Sequence, residues 1–384
     1  MFATLASFSS LFNSTLFMHL GVGLFNVYIG LKLAAEGISE LWIGALMSAF
    51  YIGLVLGGRI GYLMIVRIGH VRAFAAAAAA CSVMVLLQTL IDEMWVWLLL
   101  RAFAGASMAV QFIVLESWLN EQIENENRGR VLSVYFVMSG VGIALGQMAI
   151  TLYPDLDLRP LTLVAICHVV GLIPIVWTVR LHPGPQLPAP LDFGYFFGRA
   201  PAALLTMFLA GNISSAFYAL APVYVVGLSL STAEVASFMS IAVIAGLLAQ
   251  WPIGWLSDRF SRNKLIFING LILTVVTIFL WGWLDVPYWL LLLLAAISGV
   301  VQFTLYALGG SYANDMVTVE RRVGLSAVLL MSYGLGACLG PLICGYIMRL
   351  GGVDMFYFFM TGCSVLLMLN ARLIGRSKPK TVPA

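Results

Sequence analysis

The chain reads as long apolar runs separated by short polar stretches, with neither the alternation of a strand nor the single apolar stripe of a surface helix. A helix needs roughly 20 apolar residues to cross ~30 Å of hydrocarbon. Runs of that length are predicted near 10–32, 42–64, 72–91, 94–116, 131–153 and 160–179. A second set is predicted near 201–226, 233–255, 265–284, 288–310, 324–348 and 354–375, which makes twelve spans. Strands of a membrane barrel are excluded, because they are ~9–11 residues long and alternate apolar with polar positions.

The stretch 181–200 interrupts this pattern with prolines at 183, 185, 188 and 190. Proline fixes φ and removes a backbone donor, so this segment cannot be a spanning helix. Its position at the midpoint predicts an N-terminal six-helix bundle over 1–180, a Pro-rich linker over 181–200 and a C-terminal six-helix bundle over 201–384.

Composition agrees with a bilayer. The chain is 61% hydrophobic and 10% charged, against ~45–50% and ~25% for globular domains. So few charges cannot cover a water-facing surface. The net charge of +3 is too weak to argue for nucleic acid. The five cysteines (Cys81, Cys167, Cys338, Cys344 and Cys363) sit in apolar stretches without metal-ligand spacing and read as packing residues. The N-terminus lacks a basic region, a short apolar stretch and a small-residue cleavage site, so the first span is expected to be retained.

Arginine and lysine set the orientation. With the N-terminus inside, the cytoplasmic segments hold Arg67, Arg72, Arg128, Arg130, Arg180, Arg199, Arg259, Arg262, Lys264, Arg321, Arg322, Arg372, Arg376, Lys378 and Lys380. The outer loops hold Lys32, Arg159 and Arg349. Both termini are therefore expected in the cytoplasm, with the chain integral to a bacterial inner membrane.

The halves resemble each other. At an offset of 194, Ser117, Asn120, Arg128, Gly140, Gly142, Leu145 and Gly146 recur as Ser311, Asn314, Arg322, Gly334, Gly336, Leu339 and Gly340. Trp118 pairs with Tyr312, and Glu121 with Asp315. Val110-Gln111-Phe112 recurs as Val301-Gln302-Phe303 at an offset of 191. Two related bundles can rock about a central site that opens to each side in turn.

Residues 254–264 read GWLSDRFSRNK. Gly254, Leu256, Asp258, Arg259, Arg262 and Lys264 match the signature loop of the major facilitator superfamily, and this stretch resembles that family's loop between its eighth and ninth helices. Gly254 is expected to permit close helix approach. Asp258 ends its own helix, where a carboxylate is unfavourable, and favours another helix's N-terminus. In the family this loop braces a cytoplasmic gate, and the expected partner is the start of the fifth span, near Arg128 to Ser133. The first-half copy, GYLMIVRIGHVR over 61–72, places Val66 where Asp258 stands. The two gates are therefore expected to differ in strength. That pattern, with RIGHVRAF, ESWLN and GLGACLGP, resembles the YcaD-type branch of bacterial facilitators. The resemblance covers essentially the whole chain and implies an all-α membrane protein with the MFS fold, 12 transmembrane helices in two pseudo-symmetric six-helix bundles.

The eleventh span carries Gly336, Gly340-Pro341 and Gly345, a small-residue series for close helix packing. The fifth carries Gly142 and Gly146, but Gln147 replaces the proline. In the family a Gly-Pro pair there marks drug/proton antiporters, so that class is disfavoured.

Ionisable groups in the bilayer are functional candidates by default. The resemblance puts spans one, four, seven and ten around the cavity and matches Arg101-x-x-x-Gly105 to a family arginine. Arg101 can bind an anion, hold an acid ionised, or pack against carbonyls. Glu116, expected to close the fourth span, and Asp315, at the end of the tenth, are proton-coupling candidates, as is His19. Asn26, Gln111, Asn212, Tyr218, Gln302 and Tyr306 are further cavity candidates, each equally suited to bridging helices. The lining suits a small organic molecule better than a bare ion. Expected partners are a small-molecule substrate, protons if transport is coupled, and membrane lipid, with no nucleic acid and a monomer as the working unit. No cofactor or metal is expected. No nucleotide-binding loop or hydrolase motif is present, which disfavours ATP-driven transport and a membrane enzyme. A secondary transporter is the leading expectation, with a uniporter or a non-transporting receptor as the rivals.

Overall fold

The computed structural model describes residues 8–123, 128–177, 192–318 and 321–376. Among the described residues the chain is helical, without strands. Twelve long helices follow one another: α1 Ser9–Ala35, α2 Glu40–Ile68, α3 His70–Leu87, α4 Met94–Gln122, α5 Arg128–Ala149 and α6 Arg159–Val176. Then come α7 Pro201–Gly227, α8 Thr232–Arg259, α9 Arg262–Ile278, α10 Tyr288–Asn314, α11 Arg322–Gly351 and α12 Met355–Arg376.

Local chemistry sets many boundaries. Gly69 (φ +79°) breaks α2 from α3, and Gly352 (φ +89°) breaks α11 from α12, in a region that L side chains rarely adopt. Proline opens α6 and α7 in the first turn, where its missing N–H costs nothing. A capping box starts α8: Ser231 N–H donates to the Glu234 carboxylate at 2.8 Å, and Glu234 N–H donates to Ser231 Oγ at 3.4 Å.

Eleven of these helices are long and apolar enough to cross a membrane, with mean hydropathy from 1.3 to 2.1. The twelfth predicted span is α9, only 17 residues long. It stops at Ile278 rather than near 284, because a turn around Gly282 (φ +80°) follows. Of the predicted linker, the described part includes a short helix, Phe193–Arg199, capped by the Asp192 carboxylate at 3.1 Å from Tyr195 N–H. Its proline-rich part, with Arg180, lies outside the described residues.

Helix pairing repeats at a shift of six. α2 packs on α4, α1 on α5 and α6, and α3 on α4 and α6; α8 packs on α10, α7 on α11 and α12, and α9 on α10 and α12. Between the halves, α2 meets α11, α5 meets α8, and α1 meets α7. α1 and α7 are the most enclosed helices, and large apolar side chains such as Leu99 and Leu248 face outward. One departure from symmetry matters for the site: α10 leans on α7, a contact that α4 scarcely makes with α1.

Candidate functional site between the two bundles

The seam between the bundles is closed at one end and open at the other. At the end remote from the Asp258 loop, a Cβ added to Gly44 would collide with the Pro341 backbone, and one on Gly345 with the Glu40 backbone. On Gly30 it would touch Pro222 Cβ at 3.0 Å. Ser240 Oγ donates to the Ala144 carbonyl at 3.2 Å, tying α8 to α5. Near mid-depth the contact passes to side chains: Cβ positions on Gly334 and Gly140 would lie 2.7 Å from Val55 and 2.8 Å from Leu247.

At the opposite, basic end the seam is parted. A Cβ on Gly254 would meet nothing within 4 Å, so this glycine makes no close helix contact in this conformation, contrary to expectation. Asp258 is 77% exposed, and among the described residues its ion pair is with Arg262, at 3.9 Å on the following turn. The side chain of Arg128 lies outside the described residues. Arg262 instead ties the loop to its own bundle. It forms an ion pair with Asp315 and donates to the Ser311 carbonyl at 2.8 Å. Arg259 stacks on Trp255 at 4.0 Å, and Lys264 is exposed. Asp315, expected as a proton carrier, is half exposed here and pairs with Arg262 of the gate loop.

The first half copies this anchor with different chemistry. His70 Nε2 lies 3.0 Å from Ser117 Oγ, and Ser117 is the repeat partner of Ser311. Val66, in the place of Asp258, is half exposed.

Along the seam lies a set of aromatic and charged side chains. Arg101, 4% exposed on α4, is held between Phe25 of α1 at 4.2 Å and Phe50 of α2 at 4.6 Å. Its Nη2 points to Met47 Sδ at 3.6 Å, and its Nε has no acceptor. Tyr51 of α2 lies within electrostatic reach of Arg101 and also of Tyr218 and Tyr333 on the other bundle. Tyr218 packs against Phe303 at 5.5 Å, and Tyr306 meets Tyr333 edge-on at 5.2 Å. α4 continues to Gln122, so Glu116 lies inside the helix rather than at its end. Glu116 is solvent-exposed yet walled by Tyr135 of α5 and Tyr306 of α10, from opposite bundles. It therefore faces the opening between them.

Other candidates are drawn away from the seam. Gln111 Oε1 accepts from His168 Nδ1–H at 3.3 Å, and His168 Nε2 approaches Cys81 Sγ at 3.4 Å, a polar chain inside the first bundle. His19 donates from Nδ1 to the Thr15 carbonyl at 2.8 Å and packs on Phe112. Asn212 donates to the Phe208 carbonyl of its own helix at 2.9 Å and packs beside Gly336 of α11. Gln302 is buried with no partner for its amide, and Asn26 is buried beside Phe25. Tyr51, Tyr333, Phe25, Phe50 and Tyr135 escaped the sequence reading. An aromatic residue inside an apolar helix looks the same whether it packs or lines a cavity.

Two six-helix bundles meeting along a seam closed at one end, with a buried cation and a carboxylate along it, define a membrane transport protein of the facilitator type. The Major Facilitator Superfamily model matches residues 11–281 and 204–384, and the chain belongs to that family. It is 26% identical over 382 residues to the uncharacterized MFS-type transporter YcaD of Escherichia coli O139:H28, with 97% of each chain covered. The same identity and coverage hold for YcaD of Shigella sonnei. In fold it is similar to a mutant form of the nucleoside transporter NupG, with TM-score 0.83, 13% identity, and 96% and 99% of the two chains covered. It is also similar to a bacterial homolog of the human lysosomal transporter Spinster in an inward-facing, occupied conformation, with TM-score 0.76, 15% identity, and coverage of 100% and 98%. The function is membrane transport of a small molecule.

Proposed function

We propose that this chain is a secondary carrier that moves a small organic solute by alternating access, caught with its cavity open to the cytoplasm. The observation that carries this reading is the asymmetric seam: backbone-tight at Gly44–Pro341, parted at Gly254 and Asp258. The excess of Arg and Lys at the parted end supports a cytoplasmic location for that end and for both termini, and the kinship with YcaD supports a bacterial inner membrane. The bundles 1–180 and 201–384 are the rocking units, joined by 181–200, and one chain encloses the whole seam, so a monomer suffices.

Arg101 lies toward the closed end and Glu116 toward the mouth, roughly 22 Å apart along α4 at 1.5 Å per residue. Glu116 is the proton carrier in this reading. It is the acid of α4 placed between Tyr135 of one bundle and Tyr306 of the other. Asp315 and His19 are assigned to the gate loop and to helix packing. Flux of small organic solutes into sealed proteoliposomes, with and without an imposed pH gradient, tests the reading. Gradient-driven flux is expected in the wild type, and Glu116→Gln should remove the gradient dependence while leaving exchange. Solute binding without flux would support a receptor instead.

A further inference from the structure

Arginine stays charged at any ordinary pH, and a charge in a bilayer interior is costly unless paired. Arg101 has no such pair. No carboxylate among the described residues lies within 4.0 Å of it, and the nearer acid of its own helix, Glu116, is roughly 22 Å away. Its electrostatic neighbours, Cys81 and Tyr51, are a thiol and a phenol. The rings of Phe25 and Phe50 screen the cation but offer no lone pairs, and Met47 Sδ at 3.6 Å is a weak acceptor. The Nε donor is buried with no acceptor. The aromatic cage that elsewhere selects cationic ligands is thus already filled, from inside, by a protein cation.

Beyond Phe25 and Phe50, a set of aromatic side chains is linked to this unmatched fork through Tyr51. Tyr51 connects Arg101 electrostatically to Tyr218 and Tyr333, and Phe303 and Tyr306 extend the set. These rings give a planar molecule faces to stack on, while the phenols supply hydrogen bonds. A deep positive charge at the blind end repels a cationic solute and attracts an anionic one.

Resting on the carrier reading above, we propose that the cavity takes an organic carboxylate: the carboxylate docks on Arg101 at the closed end, and a planar ring lies against Tyr51, Tyr218 and Tyr333. The carboxylate supplies two oxygens to a guanidinium fork that the protein itself leaves unmatched. The site is made of both bundles, so a ligand seated there is in contact with α2 and α4 on one side and α7 and α11 on the other.

The test uses purified full-length protein and three probes of similar shape: phenylacetate, phenylacetamide and phenethylamine. Calorimetry should show phenylacetate binding at least about tenfold tighter than the amide, with the amine weakest. Arg101→Gln should abolish that preference, and Arg101→Lys should weaken phenylacetate about tenfold because the fork is lost while the charge remains. The wild-type comparison does not depend on either variant folding. Equal affinity for acid and amide, tighter binding of the amine, no binding of phenylacetate, or an unchanged preference in Arg101→Gln would each overturn the assignment. Thiol labelling of the two ends of the seam in the same preparation separates this from the carrier reading. If the ends alternate in accessibility but phenylacetate does not bind, the anion assignment fails and the carrier stands. If the ends never alternate, the carrier reading fails, and the anion assignment falls with it.

Discussion

The two ends of the inter-bundle seam are built from different materials. At the closed end α2 and α11 touch backbone to backbone, with Gly44 against Pro341 and Gly345 against Glu40. At the parted end, contacts are ionic and stay within one bundle: Arg262 binds Asp315 and the Ser311 carbonyl, and Asp258 projects into solvent. One seal depends on shape, the other on charge. A shape seal is lost when a side chain is added. A charge seal is lost when a carboxylate is neutralised, and screening by salt weakens it. The closed end should therefore be the more sensitive to bulk and the parted end to ionic strength.

The largest effect is expected from Gly44→Leu. Overpacking of this kind costs about 1–3 kcal/mol, here only in the conformation that brings Gly44 onto Pro341. The closed-end seal should open, the inward-open population should fall by about tenfold or more, and thiol labelling at the outer end should rise accordingly. The same substitution should leave salt dependence unchanged. A smaller effect is expected from Asp258→Asn. A carboxylate near a helix N-terminus contributes about 0.3–1 kcal/mol when exposed, so closure of the basic end should weaken by up to about fivefold. Crosslinking across that end should fall, and high salt should reproduce the loss in the wild type. Unchanged crosslinking would remove Asp258 from the gate.

A second comparison, between the gate loops of the two halves, runs the same way. Both anchor the start of a helix to the end of the fourth helix of their own bundle, at the repeat-related Ser117 and Ser311. The second half uses an arginine and an acid, the first a histidine and a hydroxyl. Duplication has preserved the place of the contact and not its chemistry. With Val66 in the place of Asp258, the first-half loop lacks the carboxylate of the second.

The sequence made the large features legible for physical reasons. Apolar length alone separates spans from loops in a bilayer, and Gly69, Gly352, Pro160 and Pro201 mark helix ends because of their backbone restrictions. Arg101 stood out because a charge in an apolar helix has few reasons to exist. For Gln111 and Asn212 the sequence left cavity lining and helix bridging equally open, because an amide's role depends on which neighbouring helix supplies its partner. Gln111 finds His168 across the bundle, and Asn212 turns back to its own helix beside Gly336. Asp315 was read as a proton-coupling candidate because the end of α10 carries no marker of depth, and its partner Arg262 lies 53 residues earlier. The tyrosines of the aromatic set were missed except Tyr218 and Tyr306, since facing direction in an all-apolar helix leaves no periodic trace. Asp258 was singled out by its place in the family's signature loop, and in this structure it is exposed and pairs with Arg262 on the following turn.

Alternation between the two seals is the central claim, and paired distances measure it most directly. Spin labels at Val66 and Ser326 report the basic end of α2 and α11, and labels at Glu36 and Leu350 report the other end; all four positions are exposed. The account predicts two populations with opposite changes, long at the basic end when short at the other, and a shift toward the reverse in Gly44→Leu. Distances that lengthen and shorten together, or a single fixed distance at both ends with flux intact, would contradict it.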